Sequence, residues 1–195
     1  MACRPATVFV PFFVAYIFVL PISSAQSAST DSPSKKCFVS SAEVAVYKSY
    51  LRPERSIPSV ILTTTYTHHG LNVDSTNLQL AVQGRGIPPE VREDFKSKNA
   101  KSCNIKPFGG VDRLRFLSES DQDQIFERGW NEFHNEFGKK AFMITLSRVG
   151  FNKDHTLALI HVSWAEDGFG GGMLYLFEKN QNKWVIKTKV ETWTT

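Results

Sequence analysis

Apolar positions in the first part of the chain recur three and four residues apart, which is the period of a helix. This pattern predicts short amphipathic helices in "SSAEVAVYKSYL" and "IPPEVREDFKSKNA". Ser40 stands three residues before Glu43, the spacing at which each side chain caps the other's backbone amide, and Pro53 ends this first helix. In the second segment, prolines before an acidic first turn are typical of a helix start.

A longer helix is predicted in "SESDQDQIFERGWNEFHNEFG", where four aromatic residues are spaced four, three and four apart. At these spacings all four rings project from one side of the helix. Such a stripe can line a cofactor pocket, but large apolar rings at helical spacing are typically buried against a sheet, which is the interpretation favoured here. The four residues are Phe126, Trp130, Phe133 and Phe137.

From Ala141 onward the period changes to that of strands, and short turn segments separate four β-rich runs. This pattern predicts an α+β fold with an antiparallel four-stranded C-terminal meander packed by amphipathic helices, and cystatin-like and nuclear-transport-factor-like folds are the candidate architectures. Further strands are expected in "SVILTTTYT", "LQLAVQG" and "DRLRFL". The four runs are "AFMITLSRVGF", "TLALIHVSW", "GMLYLFEK" and "KWVIKTKVETW".

The last of these runs alternates apolar and charged residues. This strand is expected to be buried on one face and exposed to solvent on the other. The packed face would carry Trp184, Ile186 and Val190, and the wet face Lys187, Lys189 and Glu191.

The glycines between Gly168 and Gly172 raise the question of a phosphate-binding loop. Such loops need a helix directly after the glycines, whereas a strand follows here, and the lysine with serine or threonine that would complete the motif is absent. We expect a mobile connection between two strands, with a bulge at Gly172. The alternative is a glycine-rich lip over a ligand.

The N-terminus resembles a signal peptide, with Arg4 ahead of an apolar run and small residues at Ser23 and Ala25. A membrane anchor is disfavoured because the run is short and interrupted by prolines. We therefore predict a signal peptide over residues 1–25, a flexible lead-in over 26–36 and a single α+β domain over 37–195. The expected location is secreted or periplasmic, with no stable membrane span after cleavage.

The cysteine count changes the expected chemistry of the mature chain. Cys3 leaves with the signal peptide, so Cys37 and Cys103 can pair only with each other, and an oxidising compartment favours the bond. Two free thiols are the alternative. The formal net charge of +4 comes from scattered residues, and no basic and aromatic interleaving predicts nucleic-acid binding.

Three residues of the meander are candidates for ligand binding, namely Arg148, Asn152 and His161. On facing strands they would form a polar cluster able to act on an ester or phosphate group. Ser147 lacks the glycine-flanked nucleophile motif. The alternative is structural: Arg148 pairs with a carboxylate such as Glu166 or Asp167, and His161 is hydrogen-bonded within the sheet.

No catalytic residue, metal ligand or cofactor is assigned. His68 and His69 are adjacent at the end of a predicted strand, so their side chains point to opposite faces and do not converge on one ion unless the strand has already ended in a loop.

The C-terminal half resembles a family of small secreted bacterial proteins, catalogued as uncharacterised, that have a glycine-tryptophan helix motif and an "LSRVGFN" strand motif. The resemblance implies export and an α+β fold and no known activity. The chain departs from the family after its main helix, where a tyrosine-proline-glycine stop is usual, and at His161, where the strand is ordinarily more apolar. The matching residues are Gly129, Trp130, Phe133, Leu146 to Asn152, Ala158, Gly170, Gly172, Glu178, Lys179, Trp184 and Trp193.

Two functional hypotheses follow from these features. The first is a non-enzymatic exported module that binds a small apolar ligand or another protein in a groove of the curved sheet. The second is a small secreted hydrolase that uses a groove near Arg148 and His161. The absence of a recognisable triad, metal set or phosphate loop favours the first.

Overall fold

The computed structural model describes residues 37–52, 60–64 and 85–194. Several predictions fall outside these ranges and stay predictions: the signal peptide, the lead-in, the strand "LQLAVQG" and the pair His68 and His69. Of residues 60–64, and of Glu119 and Phe126, only the backbone is described.

Three helices are described: α1 (Ser41–Tyr50), α2 (Pro89–Lys98) and α3 (Glu119–Phe137). The predicted capping box of α1 is confirmed, because Ser40 accepts from the backbone N–H of Glu43 and the Glu43 carboxylate accepts from that of Ser40. The α2 helix carries proline in its first turn, as predicted. None of the described helices has the length and apolar character needed to cross a membrane.

The α3 helix is interrupted at Gly129, whose backbone leaves the helical region with φ 80° and ψ 172°. This left-handed φ suits glycine, and it separates the segment before Gly129 from the segment that carries Trp130. Phe133 is buried as predicted, whereas Trp130 and Phe137 are only partly buried against the same cluster. Trp130 and Phe137 therefore share a face with Phe133, as predicted, but are less buried than expected.

Seven strands of the described residues form one mixed sheet. Their spatial order is β2-β1-β3-β5-β6-β7, and β4 pairs with β5 beside β3. The predicted antiparallel meander is confirmed in β3, β5, β6 and β7. The strands are β1 (Val60–Thr64), β2 (Leu114–Leu117), β3 (Ala141–Leu146), β4 (Gly150–Phe151), β5 (Leu157–Glu166), β6 (Phe169–Asn180) and β7 (Lys183–Thr194).

The first two strands extend this meander in a way that the sequence did not predict. The β1 strand runs parallel to both β2 and β3 and lies between them. The sheet is therefore antiparallel at the β7 end and parallel at the β2 end, where α3 contacts β1 and β2.

Apolar side chains fill both faces of the meander. Tyr47 of α1 belongs to one cluster with Ile160 and Phe177, and Phe95 of α2 belongs to another with Leu159 and Leu176. Consecutive residues of a strand point to opposite faces, so α1 and α2 cover opposite sides of β5 and β6. We call these sides the α1 face and the α2 face.

The last strand serves both faces, which corrects the prediction of one packed and one wet side. A register shift lies between Phe177, which pairs with Ile186, and Leu176, which pairs with Thr188, so Lys187 is an extra residue on β7. Trp184 and Ile186 consequently pack on the α1 face, whereas Val190 packs on the α2 face.

The glycines after Gly168 belong to β6, which corrects the prediction of a mobile connection. Asp167 and Gly168 alone form the turn between β5 and β6. A Cβ at Gly171 would lie 2.2 Å from a ring carbon of Trp164, and one at Gly172 would lie 2.3 Å from the indole nitrogen of Trp193. The glycines therefore leave room for tryptophan rings on both faces. The expected bulge at Gly172 is confirmed by a register shift between Gly172 and Met173.

Gly150, at the start of β4, allows α2 to approach the sheet closely. A Cβ at Gly150 would lie 2.5 Å from Phe95 Cβ and 2.6 Å from the Cα and N atoms of the same residue. Because two of these atoms belong to the helix backbone, no side-chain rotation relieves the overlap.

Candidate functional site

Arg148 lies in the irregular segment between β3 and β4, where it forms a buried ion pair with Glu43 of α1. The guanidinium donates from Nε to Glu43 Oε1 at 2.7 Å and from Nη2 to Oε2 at 3.1 Å. The side chain of Glu43 is 1% exposed and that of Arg148 is 16% exposed. The structural alternative, in which Arg148 pairs with a carboxylate, is confirmed, but the partner is Glu43 and neither Glu166 nor Asp167.

The backbone around Arg148 is also bonded to side chains of both covering helices. The N–H of Val149 donates to Glu43 Oε1 at 3.2 Å, and the Tyr47 hydroxyl donates to the carbonyl of Ser147 at 2.8 Å. The side chain of Asn99, just after α2, accepts from the N–H of Arg148 at 2.8 Å and donates to its carbonyl at 3.1 Å. We call residues 147–149 with these partners the arginine junction.

The electrostatics of the junction keep its ion pair charged. Burial raises the pKa of the Glu43 carboxyl, but hydrogen bonds from Arg148, Ser40 and Val149 and the charge of Arg148 outweigh burial, so the pKa lies below its ordinary value. The hydrogen bond to Glu43 raises the pKa of the Arg148 guanidinium. Burial raises the pKa of Tyr47 well above its ordinary value, so its hydroxyl remains a donor. The junction holds fixed charges rather than a proton-transfer group for neutral pH.

The predicted cysteine pair lies beside the junction. Cys37 and Cys103 are at disulfide distance, with 5.0 Å between their Cα atoms, which confirms the expected pairing. Nη1 of Arg148 lies 3.0 Å from Cys103 Sγ. Arg148 therefore contacts α1, the segment after α2 and the disulfide loop.

Non-reducing mass spectrometry of the purified chain should find the peptide of Cys37 joined to the peptide of Cys103. The bond is expected because the folded chain places the two sulfurs together, and the predicted export would take the chain to an oxidising compartment. After reduction the two peptides should separate, each with one free thiol. Finding free thiols before reduction would contradict both the pairing and the predicted compartment.

His161 is buried within β5, on the α2 face. Its backbone N–H donates to Ser147 Oγ at 2.8 Å, and its ring Nε2 lies 2.9 Å from Thr192 Oγ1. The ring crosses β6 beside Gly172, where a Cβ would lie 2.7 Å from Nε2. His161 is thus hydrogen-bonded within the sheet, as the structural alternative predicts.

Asn152 shapes the turn between β4 and β5. Its side-chain oxygen accepts from the backbone N–H groups of Thr156 and Leu157 at 2.9 and 2.8 Å, and its amide donates to the Thr156 hydroxyl at 2.8 Å. Asparagine is favoured in such turns because its side chain replaces a backbone partner. The polar atoms of the Asn152 side chain therefore stabilise the backbone conformation of this turn.

An open groove of about 510 Å³ runs between α2 and this turn. Its size falls within the range of small-molecule sites, roughly 300–1,000 Å³. Asn152 alone of the three predicted residues lines it. The lining on the helix side comprises Pro89, Glu90, Glu93, Asp94 and Lys98, and that on the turn side comprises Phe151, Asn152, Lys153 and His155.

The groove is built around Asp94 and Phe151. Asp94 Oδ2 accepts from the Phe151 N–H and from Lys98 Nζ, each at 2.7 Å. The ring of His155 stacks on Phe151 at 4.7 Å with planes 8° apart, and Lys98 Nζ lies 4.9 Å from the centre of the Phe151 ring. These contacts hold the side chains in place before any ligand binds.

The residues of the groove were largely missed in the sequence. Asp94 and Lys98 are four apart on a predicted helix, which is the spacing of an ion pair and could have been noticed. Nothing local indicated that Phe151 and His155 would stack against that helix face. Arg148 and His161, which were predicted with Asn152, have their own partners in the fold.

Comparison of the chain with protein-family models, with curated proteins and with solved structures finds no match. The resemblance to small secreted bacterial proteins therefore stays a prediction, as do the candidate cystatin-like and nuclear-transport-factor-like architectures.

Proposed function

We propose that this chain is an exported, non-enzymatic binding module that takes a small polar ligand in the groove between α2 and the Asn152 turn. The observation that carries the proposal is the groove itself, whose volume suits a small molecule and whose ionic and aromatic side chains are fixed by mutual contacts. Export is supported by the predicted signal peptide and by the cysteine pair.

The carboxylates on the helix wall of the groove favour a ligand with a cationic group, while Lys153 is the exposed cation on the turn side. Glu90 and Glu93 are exposed on the helix wall, and two hydrogen bonds already engage the Asp94 carboxylate. A cation placed between Glu90 and Glu93 would form charge-assisted hydrogen bonds, and a planar group would find the exposed ring of His155 opposite. We therefore propose a polar ligand in place of a wholly apolar one.

The alternative of a hydrolase receives less support. A hydrolase built on Arg148 and His161 needs both side chains at a substrate, whereas Arg148 binds Glu43 and the ring of His161 binds Thr192. Neither residue lines the groove described above.

Native mass spectrometry of the purified mature protein tests the proposal. We expect a co-purifying small molecule, whose retained fraction falls about tenfold when Glu90 and Glu93 are both replaced by glutamine, because each loses a charge-assisted bond. Glu132→Gln makes the same chemical change at an exposed site on α3 and should leave retention unchanged. A protein without any adduct, or an adduct that the double variant retains fully, would contradict the proposed site.

A further inference from the structure

The β7 strand ends the strand order in the described part of the chain, so the backbone groups of its outer edge have no strand beside them there. Four large apolar residues are exposed among the described residues, and two of them, Val185 at 44% and Trp193 at 41%, lie on β7. Unpaired N–H and C=O groups along an edge strand are a template for pairing with another strand.

These two residues lie symmetrically about Lys189. Lys189 pairs with Tyr175 on β6, Trp193 pairs with Gly172, and Val185 pairs with Glu178. Gly172 and Glu178 are each three positions from Tyr175, in opposite directions, since each half of β7 contains one register shift. Both are even-numbered positions of β6, so Val185 and Trp193 project from the α2 face.

We propose that β7 pairs antiparallel with β7 of a second copy of this chain, about a twofold axis at Lys189. This arrangement places Val185 of each copy opposite Trp193 of the other, on the same face of one continuous sheet. Cross-strand pairs of an aromatic and a β-branched residue stabilise antiparallel sheets, and the symmetry supplies this pair twice. The interaction surface is separate from the proposed ligand groove and does not depend on it.

The charges of the strand fit the same symmetry. Two copies of Lys189 meet at the axis, and lysine on an edge strand ordinarily opposes such pairing. Glu191 pairs with Met173, two β6 positions from Tyr175, so it projects from the same face as Lys189. Glu191 of each copy thus lies diagonal to Lys189 of the other, roughly 7–8 Å between Cα atoms, within reach of long side chains. Two carboxylates offset the two ammonium groups.

Contacts with β6 fix the side chain of Trp193. Its indole lies along β6, because a Cβ at Gly172 would be 2.3 Å from its nitrogen and one at Gly170 would be 3.4 Å from its ring carbons. One side of the ring rests on the glycines while the residue remains 41% exposed. A ring fixed in this way loses little conformational entropy when a partner covers it.

Cysteine cross-linking in the full mature chain tests the axis. In Lys189→Cys the two new thiols face each other across an antiparallel pair, at a Cα separation of about 5 Å that suits a disulfide. Lys183 pairs with Asn180, five β6 positions from Tyr175, so two copies of Lys183→Cys lie roughly 34 Å apart at about 3.4 Å per position. We expect at least about tenfold more covalent dimer from Lys189→Cys.

A second variant tests the apolar contact. Adding Trp193→Ala to Lys189→Cys should reduce covalent dimer about tenfold, because it removes both symmetric pairs. Phe169→Ala, at an exposed residue away from β7, should leave the yield unchanged, and circular dichroism confirms that each variant is folded. Equal yields from the two cysteine variants, a natural chain that is monomeric at every dilution in sedimentation equilibrium, or a different polypeptide bound at β7 would each overturn the proposal.

Discussion

Replacing Glu43 by glutamine is expected to lower the free energy of unfolding by about 3 to 5 kcal/mol, the usual cost of breaking a buried ion pair by removing one partner. The variant keeps the shape of the side chain but leaves the guanidinium of Arg148, which is 16% exposed, without its counter-charge. It also weakens the acceptor of the Val149 N–H. Urea denaturation of the oxidised protein at neutral pH measures the change.

The matched control is Glu178→Gln. Glu178 binds Lys187 at the same 2.7 Å distance, but both side chains are about half exposed, at 47% and 49%. Solvent screens such a pair, so this variant should lose less than about 1 kcal/mol. Similar losses for the two variants would show that burial of the Glu43 pair contributes little.

The same ion pair predicts how stability changes with pH. The pKa of Glu43 is lower in the folded chain than its ordinary value, so its contribution is fully present above the ordinary value and is lost as pH falls through the folded pKa. In Glu43→Gln this part of the acid destabilisation should disappear. An acid limb that is equally steep in both proteins would contradict the assignment.

Replacing Gly150 by alanine is expected to lower the free energy of unfolding by about 3 kcal/mol, the upper part of the range for overpacking. The added methyl would overlap backbone atoms of Phe95 at 2.6 Å, so α2 must move away from the sheet. That movement would also disturb the hydrogen bonds that tie Asp94 to Phe151 and Asn99 to Arg148. Thermal or urea unfolding of the purified variant measures the loss.

Gly109→Ala is the control for Gly150→Ala. Gly109 is exposed, and a Cβ there would meet no atom within 4 Å. This variant should change stability by no more than about 0.5 kcal/mol. If Gly150→Ala were equally mild, the close approach of α2 to β4 would not be a constraint of the fold.

The parts of the fold that depend on neighbouring residues were predictable from the sequence. Ser40 and Glu43 are three residues apart, so the sequence alone predicts their capping box. The prolines before the acidic first turn likewise predict the start of α2. The meander follows from runs of β-branched and aromatic residues separated by turns. Each of these features arises from contacts within a few positions along the chain.

The parts that failed depend on one residue changing the register of a whole element. Gly129 interrupts the helical period, so the spacing of Trp130 and Phe133 no longer describes one face with the segment before it. Lys187 adds a residue to β7, so the side chains from Thr188 to Glu191 lie on the faces opposite to those that alternation predicts, until a second register shift before Trp193. Alternation alone does not reveal such an insertion, because the apolar positions on both sides of it still look regular.

The candidate site depends on contacts between distant residues, which no spacing rule reveals. Arg148 was expected to find a carboxylate near it in the chain, at Glu166 or Asp167, and instead binds Glu43, 105 residues earlier. The "SRVGFN" run that suggested a family resemblance contains the arginine junction, Gly150 against α2 and the Asn152 turn. The residues of this run connect α1, α2 and the strands β3 to β5. The groove lies between α2 and the Asn152 turn because these contacts position both.

The separation of 105 positions between Glu43 and Arg148 has a consequence for the order in which the protein folds. A chain grows from its N-terminus, so α1 is made long before Arg148 exists. In the folded chain the Ser40 amide donates to the Glu43 carboxylate at 2.7 Å, through a bond that is local in sequence. Because the ion pair with Arg148 closes a much longer loop, we expect the local bond to form before the ion pair.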